Sequence, residues 1–191
     1  MTAGLIKAEP GETVRHFSEW NRELHAALEV IESVAFVSEL RYTLEEMTQR
    51  AGKGGFEGVL VSDARGPAAI MIFYPLEDHL NEENYIYLDT LAVRERGRGT
   101  GSRLLRYLID RFRAEGFSGI ELDTEAANDE TGQDLPAIYR RFGFVQVTSA
   151  TRPALTKIPD NLTMRLTFKN GAGARQHIVP PDPPETGLPS Q

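Results

Sequence analysis

From Arg96 to Ser102 the chain reads Arg-Gly-Arg-Gly-Thr-Gly-Ser, with glycine at alternate positions among arginines. Where such a turn leads into a helix, successive backbone N–H groups point outward unpaired, and an anion can accept them. The helix dipole adds to that attraction, and glycine keeps Cβ atoms from holding the anion away from the main chain. Five arginines fall between Arg94 and Arg106, with Arg111 and Arg113 beyond, in a chain whose net charge is −7. One basic patch in an acidic protein suits a small polyanion; a solvated helix face of alternating charge has the same spacing. Two common phosphate loops do not fit. A nucleotide P-loop requires Gly-Lys-Ser/Thr, and this turn has no lysine. The dinucleotide fingerprint runs G-x-G-x-x-G, whereas Gly97, Gly99 and Gly101 are followed by Ser102 and Arg103.

For this turn to work, a strand must enter it and a helix must leave it. Tyr85 to Val93 (YIYLDTLAV) is rich in β-formers. After the turn, Leu104, Leu105, Leu108, Ile109 and Phe112 recur at helical spacing up to Gly116. Upstream the pattern is helical from Ser18 to Ala51: Trp20, Leu24, Ala27, Leu28 and Ile31 recur at three- and four-residue spacing, and Thr43-Leu44-Glu45-Glu46 spells a capping box that opens a second helix. Phe56 to Ser62 and Ala68 to Tyr74, split by Asp63-Ala64-Arg65-Gly66-Pro67, predict an antiparallel hairpin. Downstream come a buried strand at Gly119 to Asp123, a short helix from Pro136 to Phe142 closed by Gly143, and strands at Phe144 to Thr148 and Leu162 to Phe168. The order is two helices, three strands, helix, strand, helix, two strands, which predicts a mixed α/β domain with helices covering the sheet. One domain is expected over residues 1–170. Residues 171–191 contain VPPDPPETGLPSQ, a composition suited to a disordered or polyproline tail.

Two stretches are specific in their spelling: Arg96-x-x-Gly99-x-Gly101 within Leu88 to Arg106, and YRRFGF from Tyr139 to Phe144. With them the chain resembles the GNAT superfamily of N-acetyltransferases, in element order over Phe56 to Phe168. The resemblance implies the acyl-CoA N-acyltransferase fold, a mostly antiparallel sheet of about six to seven strands flanked by about four helices. It implies acetyl-CoA as co-substrate, its pyrophosphate on the amides of Arg98, Gly99, Thr100, Gly101 and Ser102, and its pantetheine arm on main-chain groups of Leu91 and Val93. A slot for the arm would open where this strand splays from the Gly119 to Asp123 strand. Arg96, Arg98 or Arg103 would meet the pyrophosphate or the ribose phosphate, since guanidinium binds phosphate oxygens in pairs. Tyr139 becomes the general acid that protonates the departing thiolate; a Tyr merely packed beside Phe142 and Phe144 is the alternative. Asp89 becomes the candidate base for an acceptor amine, or else a carboxylate that orients substrate or caps a bulge. Side-chain alternation sets it opposite Leu88 and Thr90. Glu82 and Glu83 on the preceding loop could attract an ammonium. Gly132 and Leu135 stand where the family usually has asparagine and alanine, and Asn128 is expected to take over that coenzyme contact.

Composition bounds the rest. The absence of cysteine excludes disulfides, thiolate metal sites and a cysteine acyl-enzyme. His16, His25, His79 and His177 have no paired ligand spacing, so no metal is expected. Met1 to Thr13 lack the pattern of a secretory signal and no run of 18 apolar residues follows, so a cytoplasmic protein that does not enter the membrane is expected. With 28 acidic against 21 basic residues, nucleic acid is an unfavoured partner. The expected activity is direct acetyl transfer to a primary amine of a small molecule or protein in a ternary complex, and a homodimer is compatible with the sequence. The alternative is a catalytically silent acyl-CoA sensor.

Overall fold

The structure, a computed structural model, describes residues 6–52, 54–76, 84–125, 134–148 and 161–168. Seven strands form one sheet in the order β1-β2-β3-β4-β5-β7-β6. They are β1 (Thr13–Phe17), β2 (Glu57–Asp63), β3 (Gly66–Leu76), β4 (Tyr85–Val93), β5 (Gly119–Glu125), β6 (Val145–Gln146) and β7 (Asn161–Thr167). Every pairing is antiparallel except β4 with β5. That parallel pair needs a crossover, and α3 (Thr100–Glu115) supplies it. The other helices are α1 (Arg22–Ala35), α2 (Leu44–Ala51) and α4 (Leu135–Arg140). This is the mixed, mostly antiparallel α/β fold expected from the sequence.

Alternation along the strands gives each helix layer its own face. Val59 and Val61 of β2, Met71 and Phe73 of β3, and Ile86 and Leu88 of β4 pack under the apolar stripe of α3. Leu60, Ile70, Ile72, Tyr74 and Tyr87 turn to the opposite face, where Leu24, Leu28 and Ile31 of α1 and Met47 of α2 cover them. The predicted capping box holds: the Thr43 side chain accepts from Glu46 N, and Glu46 reaches back to Thr43 N. Leu108 is fully buried in the α3 layer. Leu108→Ala should therefore cost about 2–5 kcal/mol of stability, read as a fall in the urea midpoint at unchanged m-value.

Three expectations need correction. The first strand, β1, precedes both helices and pairs with β2 at the sheet edge; its Thr-Val-Arg-His-Phe is mostly exposed, so no apolar alternation marks it. The first helix begins at Arg22, not Ser18, because Asn21 caps it by accepting from Leu24 N at 2.9 Å. The strand expected from Phe144 to Thr148 is reduced to the two residues of β6. The proline-rich tail, Asn128, Glu82, Glu83 and Gly132 lie outside the described residues.

Candidate active site

Pairing between β4 and β5 runs from Tyr85↔Gly119 to Leu88↔Leu122 and stops there, although both strands continue. Beyond that point β4 stays with β3 and β5 stays with β7, so the sheet divides into a wedge. A bulge accompanies the division: Ile72 faces Thr90 and Phe73 faces Leu88, leaving Asp89 as the extra residue. It breaks the expected alternation. Leu88 packs toward α3, while Asp89 and Thr90 both lie on the α1 and α2 face, Asp89 against Tyr74 and Thr90 beside Ile72.

A cleft of about 470 Å³ fills the wedge. Leu91, Val93, Asp89 and Thr90 of β4 line it, with Leu122 to Glu125 of β5, Arg96, Gly97 and Gly99 to Ser102 of the turn, and Leu135, Ile138, Tyr139 and Arg141 around α4. Ala35 and Phe36 at the end of α1, with Leu40 in the 3₁₀ turn Ser38–Leu40, close the side toward α1.

The turn owes its shape to two glycines. Gly97 and Gly99 have φ of 80° and 79°, in the left-handed region that costs other residues about 1–2 kcal/mol. No described side chain caps α3. Among the described residues, none covers the amides of Arg98, Gly99, Thr100, Gly101 or Ser102 with a hydrogen bond. Five adjacent donors are therefore open at the positive pole of a 16-residue helix, and the residues of four of them, Gly99 to Ser102, line the cleft.

The expected arginines separate. Arg96 lines the cleft and donates to Ala35 O at 3.4 Å, tying the turn to α1. Arg98 pairs with Glu95 at 2.5 Å, and Glu95 also pairs with Arg65. Arg103 turns from the cleft to the N-terminal segment, donating to Lys7 O at 2.9 Å and pairing with Glu12 at 2.5 Å. Neither Arg98 nor Arg103 lines the cleft.

Tyr139 is half-buried, with its ring edge-on to Phe144 at 5.8 Å. Its hydroxyl makes no hydrogen bond to the described residues. Burial pushes its phenol up to about 12. Asp89 has no exposed side-chain surface and pairs with Arg50 at 2.5 Å. On β5, Asp123 accepts from the Tyr87 hydroxyl at 2.8 Å and from Thr163 at 2.6 Å. Burial first, then the Asp123 charge, raises the Tyr87 phenol.

Residues 18–144 match the family described as Acetyltransferase (GNAT) family. The chain belongs to that family. Solved structures agree with the GNAT fold. One is the ribosomal-protein-S18-alanine N-acetyltransferase from Escherichia coli, at 20% identity and TM-score 0.62, covering 87% of this chain and 99% of that one. Another is Arabidopsis thaliana Naa50 in complex with the bisubstrate analogue CoA-Ac-MVNAL, at 18% identity and TM-score 0.59, covering 83% and 99%. A third is the NatC complex bound to Gag peptide and CoA, at 21% identity and TM-score 0.57, covering 81% and 98%. No curated protein sequence matches the chain. GNAT membership makes the chain an acetyltransferase, the enzyme class that the glycine-rich turn and the Tyr139 segment implied. No described helix is long and apolar enough to cross a membrane. The described residues hold no group of three or more His, Cys, Asp or Glu suited to a metal.

Asp123, Glu125, Arg141 and the Ala35, Phe36 and Leu40 wall of the cleft escaped the sequence reading. Arg141 stood inside YRRFGF, and Asp123 and Glu125 alternate at the end of a buried strand, a pattern that marks carboxylates on one face. The wall had no sequence signal, because only the fold brings the end of α1 to β4.

Proposed function

We propose that the chain transfers the acetyl group of acetyl-CoA to a primary amine by direct attack in a ternary complex. The wedge between β4 and β5, continuous from the uncovered amides of the turn to Tyr139, carries this reading. The amides of Arg98 to Ser102 take the pyrophosphate, with the α3 dipole behind them. Arg96 and Arg141, both on the cleft, supply guanidinium to the phosphates. Past Leu88 the main chain of β4 has no β5 partner, so Leu91 and Val93 can pair with the amides of the pantetheine arm as a strand would. An amide near Leu91 then accommodates charge growing on the thioester oxygen.

Acetyl-CoA supplies an activated thioester, and no covalent enzyme intermediate is needed. The Tyr139 hydroxyl, which makes no hydrogen bond to the described residues, gives its proton to the departing thiolate. The amine enters beside the apolar Ala35, Phe36 and Leu40 wall, where the Glu125 carboxylate at the cleft edge attracts it as a cation. It loses one proton to solvent before it attacks, and the second proton, shed as the amide forms, returns to the Tyr139 oxygen. The relatives named above act on a ribosomal-protein alanine or hold peptides, which supports a peptide or protein amino group beside small amines. A cytoplasmic setting belongs to the same reading.

A panel of amino-terminal peptides, polyamines and aminoglycosides, offered with acetyl-CoA while free thiol is followed, tests it. Thiol release that depends on one acceptor class is the expected result. Tight CoA binding with no turnover on any acceptor points to the silent sensor, and no CoA binding at all removes the reading.

A further inference from the structure

The bulge in β4 is pinned from two other elements. Arg50 of α2 pairs with Asp89 at 2.5 Å, and the Tyr74 hydroxyl of β3 donates to the same oxygen at 3.1 Å. Thr90 donates to the other oxygen at 3.0 Å. Arg50 also donates to the Tyr74 hydroxyl at 3.1 Å and lies 4.5 Å from the centre of the Tyr42 ring. A general base needs a lone pair turned to the amine; the Asp89 side chain has no exposed surface and both its oxygens are turned to internal donors. Removing either member of a buried pair strands the other charge in a poor solvent for it, so the two residues hold each other in place. What they hold is the residue that changes the register of β4. Leu91 and Val93 lie beyond it on the same strand, and both line the cleft.

We propose that Arg50 and Asp89 are a single positioning unit for acetyl transfer, fixing the β4 bulge and with it the direction in which the Leu91 to Val93 main chain meets acetyl-CoA. Asp89 serves as an internal anion and not as the base. The inference rests on the acetyl-CoA reading above.

Arg50→Met, Asp89→Asn, their double variant and Arg50→Lys are compared with the wild type for CoA affinity by calorimetry and for thiol release. Each of Arg50→Met and Asp89→Asn should lower kcat/KM for acetyl-CoA by about a hundredfold, the scale of a small misplacement at a reacting centre. The CoA dissociation constant should rise with it, and the double variant should fall no further, because the residues act as a unit. Arg50→Lys keeps a cation against Asp89 and should recover most of the loss. Loss of kcat in Asp89→Asn at wild-type CoA affinity overturns the inference, as does an Arg50→Met variant equal to the wild type. If Asp89→Asn does not fold, the two Arg50 variants decide: a shared wild-type CoA affinity overturns it, and loss in Met with recovery in Lys supports it. Absence of CoA binding by the wild type overturns the functional reading itself, and that single measurement tells the two failures apart.

Discussion

Replacing Tyr139 with Phe should lower kcat by about 10²–10⁴-fold, the usual contribution of a positioned proton donor, while CoA affinity stays at the wild-type level. Stability should hardly change. The ring keeps its packing against Phe144, and the hydroxyl gives up no hydrogen bond to the described residues, so no buried partner is orphaned. The pH dependence follows from the raised phenol. With its pKa at about 12, Tyr139 remains protonated throughout the range in which an aliphatic amine, at about 10.4, becomes neutral and able to attack. The rate should therefore rise with pH toward the acceptor's pKa and should not fall from loss of the acid until pH approaches 12. The same shift makes a small contribution to stability that is present below the unfolded value of about 10 and lost as pH rises through the folded value. Stopped-flow thiol detection on both proteins, with calorimetric CoA titrations, checks each part. A Phe variant with wild-type kcat would show that the thiolate takes its proton elsewhere.

The sequence made the middle of the fold legible because local physics and tertiary role coincide there. The α3 stripe from Leu104 to Phe112 is the face that packs on the sheet, and glycines at 97, 99 and 116 stand where φ is positive. The predicted splay of β4 from β5 also matches the end of their pairing at Leu88↔Leu122. What escaped is set by long-range contact. β1 is an edge strand with little apolar pattern, held by its pairing to β2. Alternation failed at Asp89 because a bulge inserts one residue, and nothing in YIYLDTLAV marks the insertion. Its partner Arg50 lies 39 residues away. Arg103 fits a phosphate ligand by spacing alone, yet Glu12, 91 residues earlier, draws it to the N-terminal segment. Charged side chains near a motif are thus weaker guides than the backbone of the motif, whose conformation the glycines restrict directly.

That distinction yields a substitution whose effects on stability and binding should oppose each other. Gly101 lies in the first turn of α3 with an ordinary helical φ, and a Cβ there would meet only Val93 Cγ1, at 3.5 Å. Gly101→Glu fits without strain. It replaces the residue most costly to helix formation after proline, a gain of up to about 1 kcal/mol. It also places a carboxylate where the first turn now has none, adding about 0.3–1 kcal/mol through the dipole. The variant should melt a few degrees higher, since about 1 kcal/mol moves the midpoint by about 2–4 °C in a chain of this size. CoA affinity should fall sharply. The new anion repels the pyrophosphate and competes for the amides that would bind it, and losing two hydrogen bonds to a charged group, at about 1.5–3 kcal/mol each, weakens binding by about 10²–10⁴-fold. A defect in folding would lower both quantities together, so a raised melting temperature alongside lost CoA binding isolates the backbone donors of the turn as the site. Undiminished CoA affinity in this variant would mean that the diphosphate does not sit at the start of α3.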